Sequence, residues 1–338
     1  MIFIRADANE EIGTGHVMRC LSIARAFVKI EREVLFVTAD HRGDYLIHQA
    51  GFKTTCLESN CLELNEEDIE ELINFMKPEL VLVDSYYVTN AYFRRISALV
   101  PVAYLDDLNA ETWNVDFLIN YNIFAGVTDY FRYRGSQTKL ILGPNYAPLR
   151  PEFQGLPNHI IKENVTDILV SAGGSDPEGI TEKLIQYICP AFPNIRFHFV
   201  VGVLNPRTGE IKNMERGNIV LHIQEQHMAK LMMTCDMAIS AAGSTLYELC
   251  ACGTPTITYT LANNQLLVAE QFEKQGMMLN TGDCRSKAHF IDIIVRNMEK
   301  LAGDVDLRRS MSLRMRTVVD GKGADRIVKD FLEKSRTF

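Results

Sequence analysis

The sequence predicts an α/β chain built from two Rossmann-like, doubly wound domains facing a cleft. Three observations carry that expectation. Short runs of continuous apolar residues recur, as they do in strands buried on both faces of a parallel sheet. Segments with apolar residues at helical spacing separate them. A stretch with four prolines, 143–164, interrupts the alternation, which then restarts.

In the first half, IFIRA (2–6) is strand-like, and 16–30 places Val17, Leu21, Ala24 and Val28 at helical spacing. VLFVT (34–38) is the next strand, 66–76 a helix, LVLVD (80–84) a third strand, and 101–107 contains a fourth. In the second half, strands are expected in 167–174, 196–202, 218–223, 236–240 and 254–260. Helices are expected at 177–188, 226–234, 245–251, 265–275 and 287–301. Two such βα series imply a domain at 1–150 and another at 160–338. The last helix, 324–334, is expected to cross back to the first domain. No short repeat or low-complexity tract occurs.

A length of 338 residues fits two domains, and 47% hydrophobic with 23% charged residues is ordinary for a soluble globular protein. Arg5 and Asp7 interrupt the first apolar segment, so it does not read as an export leader. No run of eighteen apolar residues suggests a membrane span. A cytoplasmic protein without membrane insertion is the expectation, and its eight cysteines then read as reduced thiols. Cys250 and Cys252 alone make a poor zinc site, and no H-x-x-x-H or D-x-D stands out, so neither metal nor cofactor is expected. The net charge of -8 disfavours nucleic acid as a partner. It does not disfavour a small anionic ligand, because backbone amides and helix ends can hold a phosphate. Oligomeric state is not legible.

The segment IGTGHVMRC (12–20) joins a strand to a helix through Gly13 and Gly15, which let the backbone approach a ligand. His16 would lie at the helix N-terminus, where the dipole should lower its pKa and keep the imidazole neutral. A neutral imidazole can take a proton from water, although His16 could also merely cap or pack. Arg19 stands where the full G-x-G-x-x-G pattern has its last glycine.

SAAGSTLYELCACGTP (240–255) is the strongest signal. A strand delivers the chain to Gly243, Ser244 and Thr245, and a helix begins there, an arrangement suited to a diphosphate. Glu248, one turn on, is placed to accept from ribose hydroxyls. The alternative is a capped helix with an ordinary first-turn acid. SAGGSDP (171–177) is a second glycine turn, whose Gly173 and Gly174 line the cleft or simply turn the chain. Asp84 and Tyr86 fall at a strand's carboxyl end, where open sheets bind ligands. Asp106 and Asp107 read as a solvated strand end rather than a catalytic pair, since adjacent strand side chains point to opposite faces. Asn264 and Gln265, neutral donors after the 254–260 strand, suit sugar hydroxyl or acetamido groups, or cap the next helix. The scattered histidines His41, His48, His159, His198 and His289 are assigned to surface or packing.

RADANEEIGTGHVMRCLSIA, LGPNYAPLRPEF, ILVSAGGSDP and AKLMMTCDMAISAAGSTLYELCACGTP together resemble the hydrolase family of pseudaminic acid biosynthesis, over roughly residues 1–280. That family cleaves UDP-2,4-diacetamido-2,4,6-trideoxy-β-L-altropyranose to UDP and the free sugar. It is similar to the GT-B glycosyltransferases, including the one that makes lipid II, and spore-coat polysaccharide proteins resemble it too. The resemblance implies that His16 is the catalytic base, activating water against the anomeric carbon, with Tyr86 near that site. It makes Glu248 the ribose acid and Asn264 a substrate-binding asparagine. Ala242 departs from the family's usual glycine, and Asn9 from its usual serine.

Three functions compete. The first is metal-independent hydrolysis of a UDP-activated diacetamido-trideoxy sugar, in nonulosonic acid or surface polysaccharide biosynthesis, with inversion at the anomeric carbon. In it His16 and Tyr86 are catalytic, and Gly13, Gly15, Arg19, Asp84, Gly174, Asn264 and Gln265 bind substrate. Gly243, Ser244, Thr245 and Glu248 hold the nucleotide. The second is a GT-B glycosyltransferase with a sugar or lipid acceptor. A lipid acceptor would call for an exposed apolar or basic patch, which the N-terminal region lacks. The third is a non-catalytic nucleotide-sugar sensor, which the presence of both His16 and Glu248 disfavours.

Overall fold

The apolar run IFIRA forms β1 (Ile2–Ala6), buried along its whole length. A computed structural model describes residues 1–8, 13–57, 66–126, 130–202, 204–285 and 289–335. In it, β1 is the strand from which the first sheet winds both ways. On one side lie β2 (Val34–Thr38) and β3 (Lys53–Cys56). On the other lie β4 (Leu80–Asp84), β5 (Val102–Leu105), β6 (Phe117–Asn120) and β7 (Lys139–Leu142). The order is β3-β2-β1-β4-β5-β6-β7, and every neighbouring pair is parallel. Helices α1 (Gly15–Lys29), α2 (Asp44–Gln49), α3 (Glu66–Met76) and α4 (Asn90–Ser97) connect the strands. The winding direction reverses between β1 and β4. The segments leaving those two strands therefore flank the crevice in which open sheets place ligands.

The second sheet repeats the plan. It comprises β8 (Asp167–Ser171), β9 (Arg196–Val201), β10 (Ile219–Ile223), β11 (Met237–Ala241), β12 (Thr256–Thr260) and β13 (Met278–Asp283). The order is β10-β9-β8-β11-β12-β13, again parallel throughout. Its helices are α5 (Ile180–Tyr187), α6 (Thr208–Lys212), α7 (Met228–Thr234), α8 (Thr245–Cys252), α9 (Leu266–Lys274), α10 (Phe290–Gly303) and α11 (Val305–Val318). The reversal here lies between β8 and β11, so the SAGGSDP and AAGST segments leave the two strands at the switch point. Both sheets are therefore Rossmann-like and doubly wound, as in the GT-B fold. No helix of the described residues is long and apolar enough to cross a membrane.

The chain divides into one unit of Met1–Arg150 with Lys322–Phe338 and another of Pro151–Gly321. The second unit thus ends before the final helix, α12 (Gly323–Ser335), which the 160–338 range had included. Apolar packing within the first unit accounts for this. Ile327, Val328 and Phe331 of α12 are buried, and the Phe331 ring lies 6.0 Å from Phe27 of α1 and 4.7 Å from Phe117 of β6. Lys29 reaches Asp325 at 2.8 Å, and Lys139 reaches Asp330 at 2.6 Å. The same helix changes the reading of α1. Val28, expected on its apolar stripe, is 52% exposed, whereas Phe27 is 2% exposed because α12 covers that side.

Each unit holds its own core. Phe93, Tyr104 and Trp113 interlock in the first, with ring centroids 5.0 to 5.7 Å apart, over Val81 and Val83. In the second, Phe197, Phe199, Ile239, Ile257 and Tyr259 pack with Phe290 and Ile294 of α10. These are the apolar runs of the sequence, whose burial supplies the main driving force for folding.

Candidate functional site

The turn from β1 into α1 uses Gly13, whose φ of 72° lies in the left-handed region that favours glycine. Its start falls on residues outside the description, as does Asn9. α1 begins at Gly15, and Thr14 at its N-cap makes no side-chain capping bond. His16 therefore stands in the first turn of α1, beside the carboxyl end of β4. Its side chain is buried, at 4% exposure.

The imidazole is paired. Nδ1 lies 2.9 Å from Oδ1 of Asp84 and 3.3 Å from the Asp84 carbonyl oxygen. A neutral imidazole has one N–H, so a ring that donates from Nδ1 has Nε2 as its acceptor. The Tyr86 ring meets His16 edge-on with centroids 4.6 Å apart. The expected downward pKa shift is not what this environment produces. Burial pushes the His16 pKa down most strongly, but Asp84 and then Asp107 pull it up, and the result lies above the ordinary 6.5. A helix end contributes a fractional charge, whereas Asp84 supplies a full one in direct contact.

Asp84 is fully buried and ionised, its pKa far below the usual carboxylate range. Burial alone would raise it; Arg19 and His16 more than reverse that. Arg19 Nε and Nη2 both donate to Asp84 at 2.5 Å, a bidentate fork. Arg19 Nη1 donates to Asp107 at 2.7 Å and to the Tyr121 hydroxyl at 2.9 Å. The Tyr86 hydroxyl donates to the same Asp107 oxygen at 3.1 Å, and Asn122 Nδ2 donates to the other at 3.3 Å. Burial and Asp107 push the Tyr86 pKa well up, so the phenol is neutral. Tyr121, likewise buried, is pushed up to about 12.

Asp106 and Asp107 do point apart, but neither is a solvated strand end. Asp106 is 1% exposed; it accepts from the Leu108 and Asn109 amides and from Trp113 Nε1. Asp107 belongs to the His16 network. The signal that could have found it is its sheet position: it follows β5, next to β4. Tyr121 and Asn122, just past β6, carried no signal of their own. A second buried pair lies in β1 and its exit. Arg5 Nη1 reaches Asp7, whose other oxygen accepts from the Ala39 amide at 2.8 Å.

In the second unit, β11 ends at Ala241 and the Ala242 amide donates to the Tyr259 carbonyl at 2.8 Å. Gly243, Ser244 and Thr245 then turn the chain into α8. Ser244 is the N-cap but makes no side-chain capping bond, and it is exposed. The simple capped-helix alternative therefore lacks its defining bond. Glu248 is half-buried in the first turn. Gly253 closes α8 at φ 68°, where an added Cβ would fall 2.8 Å from Arg316 Cδ and from Ser312 Oγ of α11.

On the other strand of that switch point, Gly173 (φ 83°) and Gly174 are exposed, and Asp176 caps α5 through the Ile180 and Thr181 amides. A Cβ on Gly202, at the end of β9, would overlap the Gly174 carbonyl, so Gly202 is part of this turn and escaped notice in the sequence. Asn264 is exposed beside the start of α9. Gln265 Oε1 accepts from the Leu261 amide at 2.8 Å, which ties the loop rather than capping the helix.

The expected residues thus form two clusters. Gly13, Gly15, His16, Arg19, Asp84 and Tyr86 meet at the switch point of the first sheet. Gly174, Gly243, Ser244, Thr245 and Glu248 lie around that of the second, with Asn264 and Gln265 after β12. Among the described residues, no group of three or more His, Cys, Asp and Glu could hold a metal ion, and the cysteines described there are free thiols.

No family model matches the chain. It is 24% identical over 331 residues to the spore coat polysaccharide biosynthesis protein SpsG of Bacillus subtilis, covering 96% of this chain and 95% of that one. It is 26% identical over 255 residues to the UDP-2,4-diacetamido-2,4,6-trideoxy-beta-L-altropyranose hydrolase of Campylobacter jejuni, covering 73% and 86%. Among solved structures, the glycosyltransferase SsfS6 of Streptomyces sp. SF2575 matches 97% of this chain and 99% of its own with a TM-score of 0.63 at 13% identity, a likeness of fold.

Proposed function

We propose that the protein hydrolyses a UDP-activated diacetamido-trideoxy sugar at its anomeric carbon, giving UDP and the free sugar, in nonulosonic acid or surface polysaccharide biosynthesis. The observation that carries this reading is the buried His16–Asp84 pair at the switch point of the first sheet. Its relationship to a hydrolase of that substrate in Campylobacter supports the choice of reaction and sugar.

In the proposed step, a water oxygen forms a bond to C1 while one of its protons passes to His16 Nε2. The C1–oxygen bond to UDP breaks, and its electron pair leaves with the diphosphate. A single displacement inverts the anomeric configuration. UDP leaves readily, so protonation of the leaving oxygen is dispensable. The amides around Gly243, Ser244 and Thr245, at the start of α8, offset the charge that develops on it. Glu248 accepts from the ribose hydroxyls. Asn264 and Gly174 contact the sugar or its phosphates, Gln265 holds the Asn264 loop, and Tyr86 lies against the base. Incubation with a panel of UDP-sugars, followed by NMR for UDP and free sugar, tests this. Turnover only when a sugar or lipid acceptor is added would instead make the protein a glycosyltransferase.

A further inference from the structure

Arg19 and Asp84 were expected to bind substrate, yet the atoms that would do so are used inside the protein. Asp84 is wholly buried and accepts from Arg19 through both oxygens. Arg19 spends Nε, Nη1 and Nη2 on Asp84, Asp107 and Tyr121 and is 8% exposed. Cys20 Sγ also donates to Asp84 Oδ2 at 3.5 Å, and Oδ1 faces His16. That Oδ1 is 2.9 Å from Nδ1, closer than the Asp84 carbonyl at 3.3 Å, which shares that ring nitrogen.

We propose that Asp84 is the positioning residue of His16, fixing the Nδ1–H tautomer so that Nε2 is the acceptor, and that Arg19 acts through Asp84 rather than on substrate. This deepens the hydrolase reading and rests on it for the role of His16 as base. The state of the imidazole itself does not depend on that reading.

The chemistry follows from the donor inventory. A neutral imidazole has one N–H, and the nitrogen facing a carboxylate keeps it. Without the Asp84 carboxylate only its carbonyl, at 3.3 Å, still holds Nδ1–H, so the tautomer with hydrogen on Nε2, which cannot take a proton from water at that atom, is less disfavoured. Arg19 keeps Asp84 from protonating in its buried site, because the fork compensates the loss of water. When Nε2 takes the proton, the imidazolium is paired at once. The other charged and titratable groups around the ring are Arg19 on α1, Tyr86 past β4 and Asp107 past β5. Asp107 lies beyond Arg19 and Tyr86 and reinforces the pair through them.

The test is nitrogen NMR of the His16 ring in the full chain, across pH, in wild type and in Asp84→Asn. In the wild type the neutral ring should carry its hydrogen on Nδ1. The asparagine can still accept from Nδ1–H but lacks the charge. The His16 titration should then move down by about one unit or more, within the range for losing an adjacent opposite charge. The acid limb of kcat for UDP release should move down with it, while KM changes little. A wild-type ring with hydrogen on Nε2 overturns the proposal, and so does a folded Asp84→Asn whose His16 titration is unmoved. If Asp84→Asn does not fold, the wild type decides: hydrogen on Nε2, or a His16 titration at or below 6.5, overturns the proposal. A ring that behaves as expected in a protein that frees no UDP from any UDP-sugar overturns the hydrolase reading and leaves the pair standing.

Discussion

His16 feels opposing influences of unequal size. Burial, the largest single cause, and the Arg19 charge favour the neutral ring; Asp84, helped by Asp107, outweighs them and holds the pKa above 6.5. Two consequences with opposite signs follow. Stability gained from pairing a protonated His16 is fully present below the unfolded pKa and is lost as pH rises through the folded one. Activity that needs a free Nε2 behaves in reverse and is lost as pH falls through the folded value. The acid limb of the rate profile should accordingly lie above 6.5, and His16→Asn should abolish that limb. The same substitution should lower kcat by about a hundredfold or more, the usual scale for losing a general base. UDP affinity should hold, because the nucleotide is assigned to the α8 loop. Steady-state rates across pH, with calorimetry for UDP, check both. A folded His16→Asn protein with normal turnover would remove the base and the mechanism built on it.

At the scale of elements, α8 and its loop divide the motif ELCACGTP into separate duties. Glu248 in the first turn is the ligand candidate, and Glu248→Ala should weaken UDP binding by about 1.5–3 kcal/mol, the size of a hydrogen bond to a charged group. Calorimetry with UDP reads this directly, and unchanged affinity would take Glu248 out of the site. Gly253, in contrast, serves the fold: it closes α8 at φ 68°, and a Cβ there would force Arg316 or Ser312 of α11 to move. The strongest motif was legible because it joined a buried strand, a glycine turn and a helix start. Other elements were hidden for physical reasons. β3, KTTC, is an edge strand with no continuous apolar run. α11 buries Arg308, Met311, Ser312 and Met315, a helical stripe that reads as polar because two of its members are. Arg308 can be buried there because it donates to the nearby carbonyls of Leu301 and Ala302 and to those of Lys162 and Glu163, the last two far away in sequence. The network around His16 was half legible: the glycine turn and the strand end marked His16, Arg19, Asp84 and Tyr86. Asp107 and Tyr121 join them only through the order of strands in the sheet.

At the scale of the whole molecule, charge on the departing diphosphate is assigned to helix amides rather than to a cation. UDP release should therefore persist in excess EDTA; loss of activity that magnesium or manganese restores would overturn that assignment. The organisation of the chain permits a sharper test. The first unit is discontinuous in sequence, since α12 follows the whole second unit yet packs on α1 and β6. Phe331 is the centre of that packing, 3% exposed between Phe27 and Phe117. Truncating a buried phenylalanine to alanine costs about 3–5 kcal/mol, through lost burial and the cavity left behind. Each unit has its own core, so Phe331→Ala should not weaken the two equally. Hydrogen exchange should quicken in α1 and β6 while the amides of β8 and β11 keep their protection. The catalytic rate should fall with the first unit, because α1 carries His16 and Arg19, while UDP affinity survives. Equal loss of protection in both sheets would instead mean that the units unfold as one, and that α12 stabilises the chain as a whole.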